Sequence, residues 1–293
     1  MLIDDYFKAL LMELTGVLSA IKNCGLELYS IYMGGGTPTV LTENQLQQLL
    51  QVIEGSSLSP KEFCVEAGRA DTITEDKLRV LKAYGVDRIS INPQSLNQKT
   101  LETIGRRHTV EEFYRAYEWS KKIGFETVNT DLIAGLTGES FSDFQYSLDE
   151  IVKLSPEHLT VHTLCKKRTS KLLEARDTEN GEAVKQMLTY TYEKLNSLYE
   201  PYYIYRQKDA TSSLENIGFM KNNKECAYNI FMMEEVSSVI AVGAGGTSKL
   251  VDFATKKPFA KLRTDKQPER YIRDIDSILR EKIAFLEENH CNI

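Results

Sequence analysis

Four polar side chains in the first half of the chain sit where a purely structural strand has no need of them: Glu66 in FCVEA, Gln94 after RISINP, Arg106 in GRRH and Asp131 in TVNTDLI. A carboxylate inside an apolar run is costly to bury alone and must be paired or hydrogen-bonded. Glu66 and Asp131 are therefore candidates to hold a ligand hydroxyl or ammonium group. The competing reading is a structural carboxylate, which for Glu66 means a salt bridge to Arg69 or Arg88. Gln94 can donate and accept at once, and its alternative is a loop amide. Arg106 and Arg107, just ahead of His108, can hold a carboxylate or form solvated basic surface. Upstream, SIYMGGGTPTV sets Gly34, Gly35 and Gly36 before Thr37. Consecutive glycines cost backbone entropy and leave main-chain N–H and C=O groups uncovered. They suit an amino or carboxylate group bound by backbone, or else a tight strand-to-helix turn. The segment has neither GxGxxG spacing nor a Walker lysine, which argues against a dinucleotide or phosphate loop.

These candidates need strands to carry them. Short β-rich runs at 30–33, 63–67, 88–92, 127–133 and 158–164 alternate with helical patterns at 43–55, 74–86, 109–125 and 140–156. That rhythm predicts parallel βα units. Five units make a partial barrel rather than a closed eight. In parallel α/β proteins ligands bind at the carboxyl ends of strands, and Gly34–Thr37, Glu66, Asn92–Gln94, Asp131 and Cys165 all fall there. Their joint position, one per successive strand end, carries more weight than any one of them. His162, in HLTVHTL, reads as a satisfied core histidine. Tyr202, Tyr203, Tyr205 and Arg206 read as half-buried strand packing, with stacking on a flat ligand as the alternative. After residue 165 the rhythm breaks. The pattern predicts a helix over 182–199, strands at 201–208 and in SSVIAVG, a second glycine cluster at 243–246, and one helix over 265–289. The expected fold class is α/β. A partial βα barrel core spans 1–165, and a smaller α+β region spans 166–293, completing the barrel and adding helices.

Lysine and arginine number 36 against 42 aspartates and glutamates, a net charge of −6, which gives no sign of a nucleic-acid partner. No apolar run is long enough to span a bilayer. The N-terminus MLIDDYFKALLMELTG carries acids where a signal peptide has bases, and its Leu2, Tyr6, Leu10 and Leu14 recur at helical spacing. A cytoplasmic protein is expected. The five cysteines lie at 24, 64, 165, 226 and 291, with no Cys-x-x-Cys among them, and read as reduced thiols.

Taken together, YMGGGTPTVLT, VEAG, RISINPQSLNQKTLETIGRRHT, NTDLIAGL and HLTVHTL resemble, in order and spacing, the radical S-adenosylmethionine enzymes of the oxygen-independent coproporphyrinogen III oxidase family. YRQK, LENIGF, CAYNIFMMEE and AVGAGGTSK resemble its coproporphyrinogen dehydrogenase branch. The resemblance covers about residues 28–250. It implies that the Gly34–Thr37 segment is the wall for the methionine amino end of S-adenosylmethionine. It further implies that Glu66, Gln94, Arg106 and Asp131 are cofactor contacts, with Cys165 a looser match. The family reaction is oxidative decarboxylation of two porphyrinogen propionates to vinyl groups, begun by a 5′-deoxyadenosyl radical. It requires a 4Fe-4S cluster held by a Cys-x-x-x-Cys-x-x-Cys loop after the first barrel strand. Neither that loop nor that strand is present in this sequence. The resemblance therefore implies a barrel missing its first strand and a truncated form that is inactive as it stands. The expected partners are a tetrapyrrole (porphyrinogen or haem) and an electron donor if the protein is active; the exposed strand edge calls for a homodimer or for partial cover by the chain itself. The alternatives are a cluster-free haem or porphyrin carrier and a partial-barrel metabolic enzyme unrelated to tetrapyrroles.

Overall fold

The computed structural model describes residues 2–164, 180–206 and 215–292. The chain forms two compact units, one of residues 32–40 and 64–226, the other of 1–31, 41–63 and 227–293. A seven-stranded sheet contains β1 (Ser30–Met33), β2 (Glu62–Glu66), β3 (Arg88–Ser90), β4 (Thr127–Ala134), β5 (His158–Thr163), β6 (Glu200–Arg206) and β7 (Glu215–Met220), in the order β1-β2-β3-β4-β5-β7-β6. Strands β2 to β5 pair in parallel, as the alternation of strands and helices predicts. β7 then pairs antiparallel with both β5 and β6.

The connecting helices begin where their caps dictate. In α5 (Val110–Ile123), Thr109 accepts from the Glu112 N–H while the Glu112 carboxylate accepts from the Thr109 N–H. The helix stops at Gly124, whose φ of 87° a side chain would strain. Reciprocal boxes also open α2 (Glu43–Gly55), at Thr42 and Gln45, and α6 (Phe141–Leu154), at Ser140 and Asp143. α3 (Glu75–Ala83) and the short α4 (Gln98–Thr103) are capped by Thr74 and Asn97, and α7 (Asn180–Leu195) follows β5.

Along β4 the faces separate by the strand's period of two. Val128, Thr130, Leu132 and Ala134 are buried, on the side that α5, α6 and α7 contact. Asn129, Asp131 and Ile133 remain half-exposed on the other. Register carries this second face across the sheet: Glu66 pairs with Ser90, Ser90 with Asn129, Asp131 with Thr160, Thr160 with Gly218, and Gly218 with Tyr203. One face of the sheet is thus an apolar seat for helices, and the other is a polar band.

In the second unit, α1 (Leu2–Asn23) packs with α9 (Pro268–Arg273) and α10 (Ile275–Glu287). The fully buried Glu13 accepts hydrogen bonds from Lys282, from Tyr271 Oη at 2.5 Å and from the Gly243 N–H at 2.7 Å. Lys282 also donates to the Ala241 carbonyl at 2.6 Å. The second glycine cluster is therefore a structural turn, with Gly243 at φ 104°. SSVIAVG forms no strand. Val239 alone bridges to Lys249, while Ile240 and Val242 fill the core beside Val17, Ile21 and Leu286. The strands here are β8 (Thr247–Val251) and β9 (Pro258–Arg263), a hairpin. The helix expected over 265–289 is two helices parted at Asp274, whose ψ of 13° is not helical. α8 (Ala227–Glu234) completes the unit. Among the described residues, no helix is long and apolar enough to cross a membrane.

Candidate functional site

The polar band holds Glu66 and Asp131, with the Gly34 backbone against Glu66, while Gln94 and Arg106 lie on the loops that follow β3 and α4. Gly34, Gly35 and Gly36 follow β1 and are exposed. A methyl group built on Gly34 would lie 2.4 Å from Tyr32 Cε1 and 2.8 Å from Glu66 Oε2, so the glycine is there because the Glu66 carboxylate and the Tyr32 ring press against bare backbone. Gly35 has a φ of 83°, in the left-handed region. A Cβ built on Gly36 would meet no atom of the described residues within 4 Å. The Thr37 carbonyl accepts from the Val40 N–H at 2.9 Å and turns the chain toward α2.

Glu66 makes neither of the salt bridges proposed for it. Arg69 pairs with Asp71, and Arg88 donates to the Lys224 carbonyl at 2.9 Å. Its partner is Tyr32, whose hydroxyl donates to Oε1. Burial pushes the Glu66 carboxyl above the ordinary range, and Asp131 adds to this. The Tyr32 hydroxyl, the Gly35 backbone N–H and His162 pull it back.

Gln94 is a non-glycine residue at φ 68°, a conformation that costs energy and persists because its surroundings enforce it. They do so through β4: the Gln94 N–H donates to the Asp131 carbonyl and the Ile133 N–H to the Gln94 carbonyl, both at 3.0 Å. Asn92, two residues earlier, has a buried Oδ1 with no hydrogen-bond partner among the described residues. Such an atom fits a ligand donor. Arg106 is half-buried and donates to the Gly68 carbonyl at 3.4 Å. Burial lowers its pKa and the nearby Arg69 cation lowers it further, with Asp131 and Asp71 opposing.

Asp131 accepts from Asn129 Nδ2 at 2.8 Å and lies 3.6 Å from His162 Nε2. Burial alone would keep the His162 ring neutral, yet its pKa is raised because Asp131 stabilises the cation. His162 is thus a member of the polar band, with Nδ1 3.3 Å from Tyr205 Oη. The Tyr203 and Tyr205 rings are parallel, 6.2 Å apart and inclined by 10°. Gly218 makes room for the first of them, since a Cβ there would fall 1.8 Å from the Tyr203 ring. Cys165 lies outside the described residues.

Sequence reasoning did not single out Tyr32, Asn129 or Glu139. The first two stand two residues before Gly34 and Asp131, and the strand period puts them on the same face. Glu139 is buried beside Gln94's loop, where it accepts from Ser95 Oγ. Burial pushes its carboxyl up to about 7.

Exposed glycine backbone at one strand end, a hydrogen-bonded carboxylate at the next, a strained amide, a half-buried arginine and a second carboxylate can together hold a polar molecule bearing ammonium, carboxylate and hydroxyl groups. Among the described cysteines, the buried Cys64 and Cys226 approach to 3.8 Å.

Residues 9–151 match the Radical SAM superfamily. Over 294 residues the chain is 40% identical to the oxygen-independent coproporphyrinogen-III oxidase-like protein HemZ of Bacillus subtilis, covering 98% of this chain and 58% of that protein. Over 167 residues it is 36% identical to the heme chaperone HemW of the same organism, covering 55% of this chain and 43% of that one. The solved structure of coproporphyrinogen III oxidase (HemN) from Escherichia coli matches with a TM-score of 0.72 at 21% identity, over 94% of this chain and 62% of that one. This last likeness is one of fold, and it bears out the expected partial-barrel architecture. The chain spans 58% and 43% of the length of these two curated relatives.

Proposed function

This chain belongs to the radical S-adenosylmethionine superfamily, and on that premise we propose that its polar band binds S-adenosylmethionine beside a tetrapyrrole. The observation that carries the reading is the contact of Gly34 with Tyr32 and Glu66, which holds a carboxylate against bare backbone where a side chain would fill the space. In this reading the Gly34–Thr37 backbone and Glu66 take the ammonium and carboxylate end of the cofactor. Gln94, Arg106 and Asp131 take its remaining polar groups, and the Asn92 carbonyl oxygen accepts from it. When bound, S-adenosylmethionine supplies the 5′-deoxyadenosyl group from which this superfamily makes its radical. The Tyr32 hydroxyl favours the ionised form of Glu66 and holds it in place, Asn129 orients Asp131, and the β4 hydrogen bonds fix Gln94.

The tetrapyrrole reading draws on the names of the relatives, a coproporphyrinogen oxidase-like protein and a heme chaperone. Within it, the finer activity we propose is oxidative decarboxylation of coproporphyrinogen III by the whole protein, with no turnover by this chain as it stands. Carriage of haem or porphyrin is the second reading, favoured by the aromatic pair Tyr203 and Tyr205 beside the band. Anaerobic assay of this chain with coproporphyrinogen III, S-adenosylmethionine and dithionite separates the two. The expected result is saturable porphyrin binding without vinyl product. Sustained vinyl formation by this chain would overturn the claim of inactivity, and absence of porphyrin binding would overturn the tetrapyrrole reading.

A further inference from the structure

We propose that Tyr205 is an axial ligand for the ferric iron of a haem, that His162 is the base that takes its phenolic proton, and that Asp131 orients that base. The proposal rests on the tetrapyrrole reading and goes beyond it by naming the atoms that would meet the iron. Three strands contribute one residue each. His162 Nδ1 lies 3.3 Å from Tyr205 Oη, and His162 Nε2 lies 3.6 Å from Asp131 Oδ2. The buried Asn216 sets the spacing of the strands that carry the first pair: its Oδ1 accepts from the Thr163 N–H at 2.8 Å, and its Nδ2 donates to the Tyr205 carbonyl at 3.4 Å. Tyr203 lies parallel to Tyr205 and confines its ring. The His162 side chain remains 26% accessible and that of Asp131 16%, so the line of groups lies on the open face of the sheet.

The order of groups decides the chemistry. The carboxylate on one side of the imidazole favours the proton on Nε2, which leaves the Nδ1 lone pair directed at the tyrosine hydroxyl. A phenol retains its proton at neutral pH, because its ordinary pKa is about 10. A phenolate is an established ligand of haem iron. In the proposed step an Oη lone pair forms the iron–oxygen bond, the O–H bond breaks, and the proton passes to Nδ1. The resulting imidazolium faces Asp131. The iron stays ferric and no electron is transferred.

The test is a titration of ferric haem into the purified full chain, followed by visible absorption and electron paramagnetic resonance. The expected result is saturable binding with a phenolate-to-iron charge-transfer band and a high-spin ferric signal. Tyr205→Phe should abolish the band, while Tyr203→Phe should keep it. His162→Gln should keep the ligand but shift the band energy and weaken binding roughly tenfold to a hundredfold, as loss of an outer partner does elsewhere. A band that survives Tyr205→Phe would overturn the proposal. So would a chain that binds S-adenosylmethionine, showing the cofactor reading intact, but takes up no haem. Tyr205-dependent haem binding without S-adenosylmethionine binding would support this proposal and remove the cofactor reading instead.

Discussion

At the scale of single residues, one added carbon at Gly34 is the sharpest probe, because its Cβ would meet Tyr32 and Glu66 at under 3 Å. Gly34→Ala should displace the Glu66 carboxylate and lower S-adenosylmethionine affinity by about tenfold or more, equivalent to about 1.4 kcal/mol, in isothermal titration calorimetry. Circular dichroism checks that the variant, whose new Cβ pushes Tyr32 and Glu66 aside, remains folded. Tyr32→Phe removes a donor that favours the ionised form of Glu66, whose carboxyl burial already pushes up. More alkaline solution is then needed to ionise it, so the acid limb of cofactor binding should move to higher pH when affinity is measured across a pH series. Glu66 and Asp131 were legible in the sequence because acids stand out in apolar strands. The left-handed backbone of Gln94 was not, since tertiary hydrogen bonds from β4 impose it. The meeting of His162 with Tyr205 was not legible either, since it joins strands 43 residues apart in sequence.

At the scale of elements, the loop bearing Gln94 is held to the start of α6 by the Ser95–Glu139 hydrogen bond, with Glu139 Oε2 left without a partner among the described residues. Burial raises the Glu139 carboxyl to about 7, so the fold binds a proton there that the unfolded chain releases at ordinary carboxylate pH. Its contribution to stability is complete below the unfolded value and is lost as pH rises through about 7. At about 1.4 kcal/mol per pKa unit, the loss is on the order of 3 kcal/mol. Glu139→Gln should therefore stabilise the protein at about pH 8 by roughly 1–3 kcal/mol and have little effect near about pH 4, read from urea denaturation at both. Strands β1 to β5 and the helices between them were legible from the alternation of β-rich runs with helical patterns, and the parallel pairing it predicts holds from β2 to β5. β7 was not legible, because ENIGFM offers only a short apolar run broken by Gly218, the residue that makes room for the Tyr203 ring. Its place between β5 and β6 is a long-range pairing that local pattern does not carry.

At the scale of the whole molecule, α1 is tied to α9 and α10 by the buried Glu13, Tyr271 and Lys282. Lys282→Met alone strands a buried carboxylate and should cost about 3–5 kcal/mol in chemical denaturation, whereas the double change Glu13→Leu with Lys282→Met should restore much of that loss. On the function proposed above, this chain binds S-adenosylmethionine through its polar band. Isothermal titration of S-adenosylmethionine into the wild-type chain and into Asp131→Asn tests it most directly. The expected result is saturable one-to-one binding to the wild type and a loss of about tenfold or more in the variant, whose fold remains intact by circular dichroism. No binding by the well-folded wild type, or binding that Asp131→Asn leaves unchanged, would contradict it.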